Sequence, residues 1–140
     1  MRLTRLGFDL AAQIFYVRVD GALVAFIAHA LNDIQEVDLF NGIKIRAIYG
    51  ENISVSILEF PPFTQIPPHR HPNEQIGIVE EGEMEYTIGD HTMVCRKGTA
   101  FVIPPNTTHA AVVLSDTPAR IVDVFTPPRR ITEQEGLWRA

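Results

Sequence analysis

Two short segments constrain this chain more than anything else in it: Pro68-His69-Arg70-His71-Pro72-Asn73-Glu74-Gln75, and Gly98-Thr99-Ala100-Phe101-Val102-Ile103-Pro104-Pro105-Asn106-Thr107-Thr108-His109. Side chains alternate faces along an extended strand, so His69 and His71 point the same way. That spacing lets two imidazoles hold one metal ion, with Gln75 and His109 completing the shell from neighbouring backbone. Imidazole nitrogen suits divalent ions of borderline softness, and the set His69, His71, Gln75, His109 fits Mn, Fe, Ni or Zn. All four ligands are neutral, so the full charge of the ion stays on it. Such an ion is a Lewis acid with further positions open to water or to an anionic or hydroxylated substrate. Alone, a His-x-His pair reads as well as loop residues bonded to backbone. Gln75, Gly82 and the downstream segment ending at His109 turn the reading toward a metal site.

The surrounding pattern is β. Ile43, Ile45 and Ala47 alternate with Lys44 and Arg46; Ile53, Val55 and Ile57 alternate with Ser54 and Ser56; Met84, Tyr86 and Ile88 alternate with Glu83, Glu85 and Thr87. Period two marks strands with one buried face. Turn signals separate the runs at Asn41-Gly42, Gly50-Glu51-Asn52, Glu81-Gly82, Gly89-Asp90, Lys97-Gly98, Pro105-Asn106 and Asp116-Thr117-Pro118. Many short strands between regular turns predict an all-β sandwich or barrel. Strong helix signals are absent between residues 40 and 126. Thr132 is positioned to cap a short helix beginning at Ile131-Thr132-Glu133-Gln134-Glu135.

The length of 140 residues suits one core. Residues 34–140 read as a single β-barrel domain, and residues 1–33 as an N-terminal extension. Twelve basic against seventeen acidic residues, a net charge of −5, argue against nucleic acid as a partner. The lone Cys95 rules out an internal disulfide framework, is compatible with the cytoplasm, and reads as a small core or interface residue. The apolar run Gly21–Ala28 is too short for a membrane span, which takes roughly 18 residues or more. Ala28-His29-Ala30 resembles a small-x-small cleavage site, but Asp9 and Asp20 spoil a basic leader. The run is expected as a buried or interface strand or helix, and residues 21–31 as the surface of a homodimer. His91, after the Gly89-Asp90 turn, is expected in solvent.

A second constellation lies near the C-terminus. Ala119–Thr126 reads as the last long strand, with Ile121, Asp123 and Phe125 on one face and Val122 and Val124 on the other. A carboxylate on a buried face is costly unless paired, metal-linked or functional. Pro127-Pro128 ends the strand, and the planar fork of Arg129 suits a carboxylate at the barrel mouth.

These residues resemble a known family. His69, His71, Gln75 and Gly82 match the first motif of the cupin superfamily: His-x-His, a few residues, Glu or Gln, then Gly. Gly98, Pro104, Asn106 and His109 match the second. The resemblance runs from about Glu36 to Thr126 and implies a double-stranded β-helix, or jelly roll, that holds one metal. One departure is Gln75 where Glu is usual; Glu74 beside it would aim away from the metal. A neutral amide makes the site more electrophilic and puts dioxygenase chemistry in doubt. The stretch Asp123-Val124-Phe125-Thr126-Pro127-Pro128-Arg129 also resembles the end of the pectin-degradation KdgF-like cupins, which convert 4,5-unsaturated uronates into linear keto-deoxy sugar acids. That likeness implies an isomerase or lyase type of enzyme with Asp123 moving a proton, Arg129 pairing with the substrate carboxylate and Phe125 shaping the site. The rival expectations are another metallo-cupin enzyme (a hydroxynitrile lyase, polyketide cyclase or oxygenase) and a non-catalytic sugar-binding cupin.

Overall fold

A computed structural model describes residues 13–131. Its residues form two units, 1–35 and 36–140. In the first, β1 (Gln13–Val19) and β2 (Ala22–Ala28) make an antiparallel hairpin in which Val19 pairs with Ala22. Asp20 and Gly21 both have positive φ, 48° and 81°. A two-residue Asp-Gly loop of this kind matches the twist of the strands it joins. The apolar run of the sequence is therefore a strand, and Leu23, Val24 and Ile27 on it are exposed.

The second unit is built of strands and short turns. They are β3 (Val37–Asp38), β4 (Lys44–Tyr49), β5 (Ser54–Phe60), β6 (Gln65–His69), β7 (Glu74–Glu81), β8 (Glu83–Ile88), β9 (His91–Arg96), β10 (Ala100–Ile103), β11 (His109–Val113) and β12 (Ala119–Thr126). Six of them form one sheet in the order β10-β7-β12-β5-β4-β3, and four form another in the order β6-β11-β8-β9. Every pairing is antiparallel. This is the all-β double-stranded β-helix that the motifs imply. Among the described residues no helix is long and apolar enough to cross a membrane.

Alternation decides what each strand buries. β5 reads buried at Ser54, Ser56, Leu58 and Phe60, and β7 at Gln75, Gly77 and Val79. Leu58, Val79, Ile121, Met84, Val113 and Cys95 come from both sheets and are almost completely enclosed. Each such aliphatic side chain contributes about 1.5–3 kcal/mol by leaving water. β6 contains Pro67 and Pro68, which cannot donate to a ladder. It survives as a strand because it is the edge of its sheet. His91 is exposed and Cys95 fully buried, as expected. The helix expected after Ile131 lies outside the described residues.

Two motif glycines have distinct physical reasons. Gly82 turns β7 into β8 at φ 83°, and a Cβ there would lie 2.8 Å from the Cα of Ala119. Gly98 has φ 87° but nothing within 4 Å of such a Cβ. Gly98→Ala should therefore cost only the left-handed conformation, about 1–2 kcal/mol. Gly82→Ala should cost distinctly more, because backbone must move as well. Urea denaturation of the two variants checks this; equal losses would remove the packing role of Gly82.

Candidate metal centre

His69 ends β6 and His109 begins β11, and the two are paired across the ladder. Their ring centroids lie 4.1 Å apart. His71 sits just past β6, its carbonyl accepting a hydrogen bond from the Asn106 amide at 2.8 Å, so the two motif loops are tied to each other. Its ring is 5.0 Å from His109 and 6.0 Å from His69. All three histidines are buried, and one nitrogen of each falls within 4.8 Å of the others. This cluster could bind a metal ion.

The proton positions follow from the backbone. Nδ1 of His69 lies 3.0 Å from the Pro67 carbonyl, Nδ1 of His71 3.0 Å from that of Asn73, and Nδ1 of His109 2.8 Å from that of Thr107. A carbonyl only accepts, so each Nδ1–H donates and each Nε2 presents its lone pair. Bonds of this kind fix the tautomer and aim the ring of a metal-ligating histidine. Gln75 adds a further acceptor. Its Oε1 faces Nε2 of His71 at 3.1 Å, while its amide also hydrogen-bonds to Asp123. Two acceptors facing each other repel unless a cation lies between them. Cis ligands about 2.1 Å from one ion stand about 3 Å apart, so the donor set fits a divalent ion.

Burial sets the charge state of the cluster. It pushes His69 from 6.5 down to about 4, opposed by the Pro67 carbonyl and reinforced by His109 and Arg129. It likewise pushes His71 down to about 4, with Arg129 and His109 adding to the effect. His109 is also lowered, by burial first. Neutral imidazole is the form that ligates.

Asp123 lies on the inward face of β12, opposite Gly77 of β7 and Ser56 of β5. Burial raises its carboxyl from 3.8 to about 7, opposed by the Gln75 amide and the Arg129 guanidinium. Its Oδ1 and the Ser56 hydroxyl are buried without a protein partner. Buried polar atoms in native proteins are usually paired, so this pair of orphans points to a ligand.

Arg129 stands 5.5 Å over the ring of Phe125, which meets His71 edge-on at 5.6 Å. Its amide donates to the Ser54 hydroxyl at 3.0 Å, and Asn73 Nδ2 donates to the Pro127 carbonyl at 2.6 Å. A cavity of about 30 Å³ is lined by His69, Gln75, His109, Asp123, Arg129 and Tyr86, among others. That is room for a water or two.

Glu74, beside Gln75, is exposed. Tyr86 and Asn73 were not singled out by sequence reasoning. Tyr86 shows there only as an inward position of β8; its hydroxyl reaches the Met84 sulfur at 3.5 Å and its ring packs 4.3 Å from Phe101. No sequence pattern marks Asn73 as the clamp on the end of β12.

The metal-free protein should show opposing pH dependences. His69 and His71 titrate lower in the folded than in the unfolded chain, so the stability they allow is present above about 6.5 and lost as pH falls toward 4. Asp123 titrates higher when folded, so its share is fully present below about 4 and lost as pH rises through 7. Asp123→Asn should gain on the parent by up to about 1.4 kcal/mol per pH unit across that window. Urea titrations of both chelated proteins at several pH values measure this; a pH-independent difference would mean that Asp123 is ionised in the folded protein.

Comparisons with known proteins agree with this architecture. The family model described as "Cupin domain" matches residues 56–125. Among curated proteins, the H2HPP isomerase of Bacillus subtilis is 34% identical over 88 residues, covering 60% of this chain and 36% of that protein. The chain thus spans little more than a third of that relative. Among solved structures, KdgF from Halomonas sp. is 27% identical, with a TM-score of 0.66 over 70% of this chain and 90% of that one. An RmlC-like cupin from Shewanella frigidimarina is 24% identical, with a TM-score of 0.66 over 71% and 88%, and shares the fold.

Proposed function

From the premise that this chain belongs to the cupin family, we propose that it is a metal-dependent enzyme that opens and isomerises a small carboxylated sugar, a 4,5-unsaturated uronate. One observation carries the reading: a buried acid with an unpartnered oxygen, a guanidinium and three neutral imidazoles line or adjoin one cavity. The similarity to KdgF supports the substrate class.

His69, His71, His109 and Gln75 hold the metal, which supplies Lewis acidity toward substrate oxygens when bound. Arg129 pairs with the substrate carboxylate through two parallel N–H bonds. Asp123 moves the proton. The hemiacetal O–H gives up its proton as its carbonyl forms; the bond to the ring oxygen breaks, and its electron pair goes to that oxygen. The resulting enol becomes a ketone when the neighbouring carbon takes a proton, so no atom is gained or lost. An acid held near pH 7 by burial is suited to both directions of transfer. Gln75 orients Asp123 through its amide, and Phe125 walls the site beside His71. A pyranose ring of five carbons and one oxygen is several times larger than the cavity of about 30 Å³, so the lining must open to admit it. The protein acts in the cytoplasm, as a homodimer without a nucleic-acid partner.

Turnover is followed as loss of the conjugated ultraviolet band of the uronate, with and without chelator. Enzyme-dependent, chelator-sensitive loss is expected. Asp123→Asn should keep the metal and lose ~100- to 10,000-fold in kcat. Arg129→Ala should raise KM by ~10- to 100-fold, the worth of a charged hydrogen bond. A fully metallated protein that leaves the band unchanged would sink the uronate reading. The likeness to H2HPP isomerase favours a second reading, an isomerisation of H2HPP with the same residues. Turnover of H2HPP but not of uronate selects it, oxygen consumption by the Fe or Mn protein selects an oxygenase, and tight sugar binding without product selects a binding module.

A further inference from the structure

The inside of the barrel is built in layers. Gln75 is paired with Phe125 and Ile103, and His109 with Ile88. Two residues further along the same strands, Gly77 is paired with Asp123 and Phe101, and Ala111 with Tyr86. One such step is roughly 7 Å. Gln75 and His109 therefore stand in one layer, and the acid and the Tyr86 phenol in the next one inward. Asp123 comes from the six-stranded sheet and Tyr86 from the four-stranded one, and both line the cavity. They face it from opposite walls.

The Tyr86 ring is held in place. It packs 4.3 Å from Phe101, and the Phe101 ring lies over Gly77, where a Cβ would run into it. A phenylalanine at position 86 would make the same ring contact and bury no hydroxyl. The hydroxyl is nevertheless there, on a residue only 6% exposed. Among the described residues it meets only the Met84 sulfur, at 3.5 Å. A thioether is a weak acceptor, and a buried tyrosine hydroxyl ordinarily finds a strong one. Asp123 Oδ1 on the facing wall is also buried without a protein partner. Hydrogen-bonding capacity is thus left over on both walls, where a bound molecule can take it up.

Charge decides which role the phenol can have. Burial raises its pKa well above the ordinary 10, and Asp123 and Cys95 push the same way. It stays protonated at neutral pH, so it is neither base nor nucleophile. It is a permanent donor. A fixed donor in a site shielded from water acts most strongly on an oxygen that is becoming negative.

We propose that Tyr86 is a further catalytic residue, whose hydroxyl donates a hydrogen bond to the substrate oxygen that gains negative charge as the sugar ring opens. The proposal rests on the ring-opening reading of the site. As the bond between the hemiacetal carbon and the ring oxygen breaks, its electron pair goes to that oxygen. The Tyr86 hydroxyl bonds to it and keeps its own proton. Asp123 takes the hemiacetal proton and gives one to the neighbouring carbon, so the phenol leaves the cycle unchanged. Arg129 stands over Phe125, in the outer of the two layers. A substrate held there by its carboxylate presents its ring to the inner one.

The metallated full chain and Tyr86→Phe, matched in metal content, are compared on the uronate and in urea. Tyr86→Phe is expected to lose ~100- to 1,000-fold in kcat with KM within about threefold, the pattern of a contact made only in the transition state. Its urea midpoint should equal or exceed the parent's, since the hydroxyl removed had no strong partner. Met84→Leu removes the sulfur, leaves the hydroxyl and nearly conserves volume, so kcat should stay within about threefold. An active parent with an equally active Tyr86→Phe overturns the proposal and leaves the uronate reading standing. So does a loss confined to KM, a lowered midpoint, unfolding seen by circular dichroism, or an equal loss in Met84→Leu, because the hydroxyl would then serve binding or packing. A parent that leaves the uronate untouched brings down the reading and this proposal together.

Discussion

The register between β7 and β12 is the constraint on which everything else depends. It sets Gln75 opposite Phe125 and Gly77 opposite Asp123, and from β12 it carries over to Ser56 on β5. The period along a strand is two, so a slip of one residue would turn Asp123 and Gln75 to the outside and bring Val122 and Val124 in. The slip is opposed by Ile121 and Val79, both fully buried in the core further along the same strands. Core packing at one end of the barrel thus determines where the acid stands at the other. Gly77 belongs to the same arrangement, since a Cβ there would run into the Phe101 ring.

The second layer of organisation is the backbone's control of protons. Three carbonyls, from Pro67, Asn73 and Thr107, hold the three Nδ1–H groups, so the lone pairs converge without help from acidic side chains. Most metal-bound histidines lean on a carboxylate or carbonyl for this purpose. Here the carboxyl near the cluster is left for other work. Gln75 connects the two systems, its oxygen toward His71 and its amide on Asp123. A glutamate at that position would compete with Asp123 for protons, and a neutral amide does not.

Much of this was legible in the residues. Alternation gave β4 and β8 with their buried faces, and the set Ile121, Asp123 and Phe125 on one face of β12, but on β5 it pointed the wrong way: Ile53, Val55 and Ile57 read as the buried face, whereas Leu58 and Phe60 further along the strand fix the opposite one, so Ser54 and Ser56 are buried and Ile53 is exposed. The histidine spacing pointed to the cluster, although His71 stands past the end of β6 and owes its direction to the loop contact with Asn106. Other features depend on tertiary arrangement that local pattern does not carry. β6 holds two prolines and is a strand because it is an edge. Asp20-Gly21 is a tight hairpin signal that the apolar run beside it obscured. Tyr86 looked like any inward residue of β8, since nothing in a strand tells which inward residues meet the core and which meet a cavity. The apolar outer face of the six-stranded sheet, with Val102, Ile76, Val124, Val55 and Ile48 in one row, emerges only when five strands are placed side by side, for none contributes more than two residues to it.

Arg129 rests on a short segment secured at two points, by Asn73 on the Pro127 carbonyl and by Ser54 on the Arg129 amide. Both anchors use backbone groups of that segment, so neither depends on which side chain occupies position 129. The guanidinium can be exchanged for another group while the chain keeps its path and the core beneath stays as it is. A lineage could therefore change what the barrel admits through a few substitutions after Thr126, leaving the histidines and the acid untouched. The segment behaves as an interchangeable tip on a fixed tool, a division that lets one scaffold diversify without first surrendering its stability.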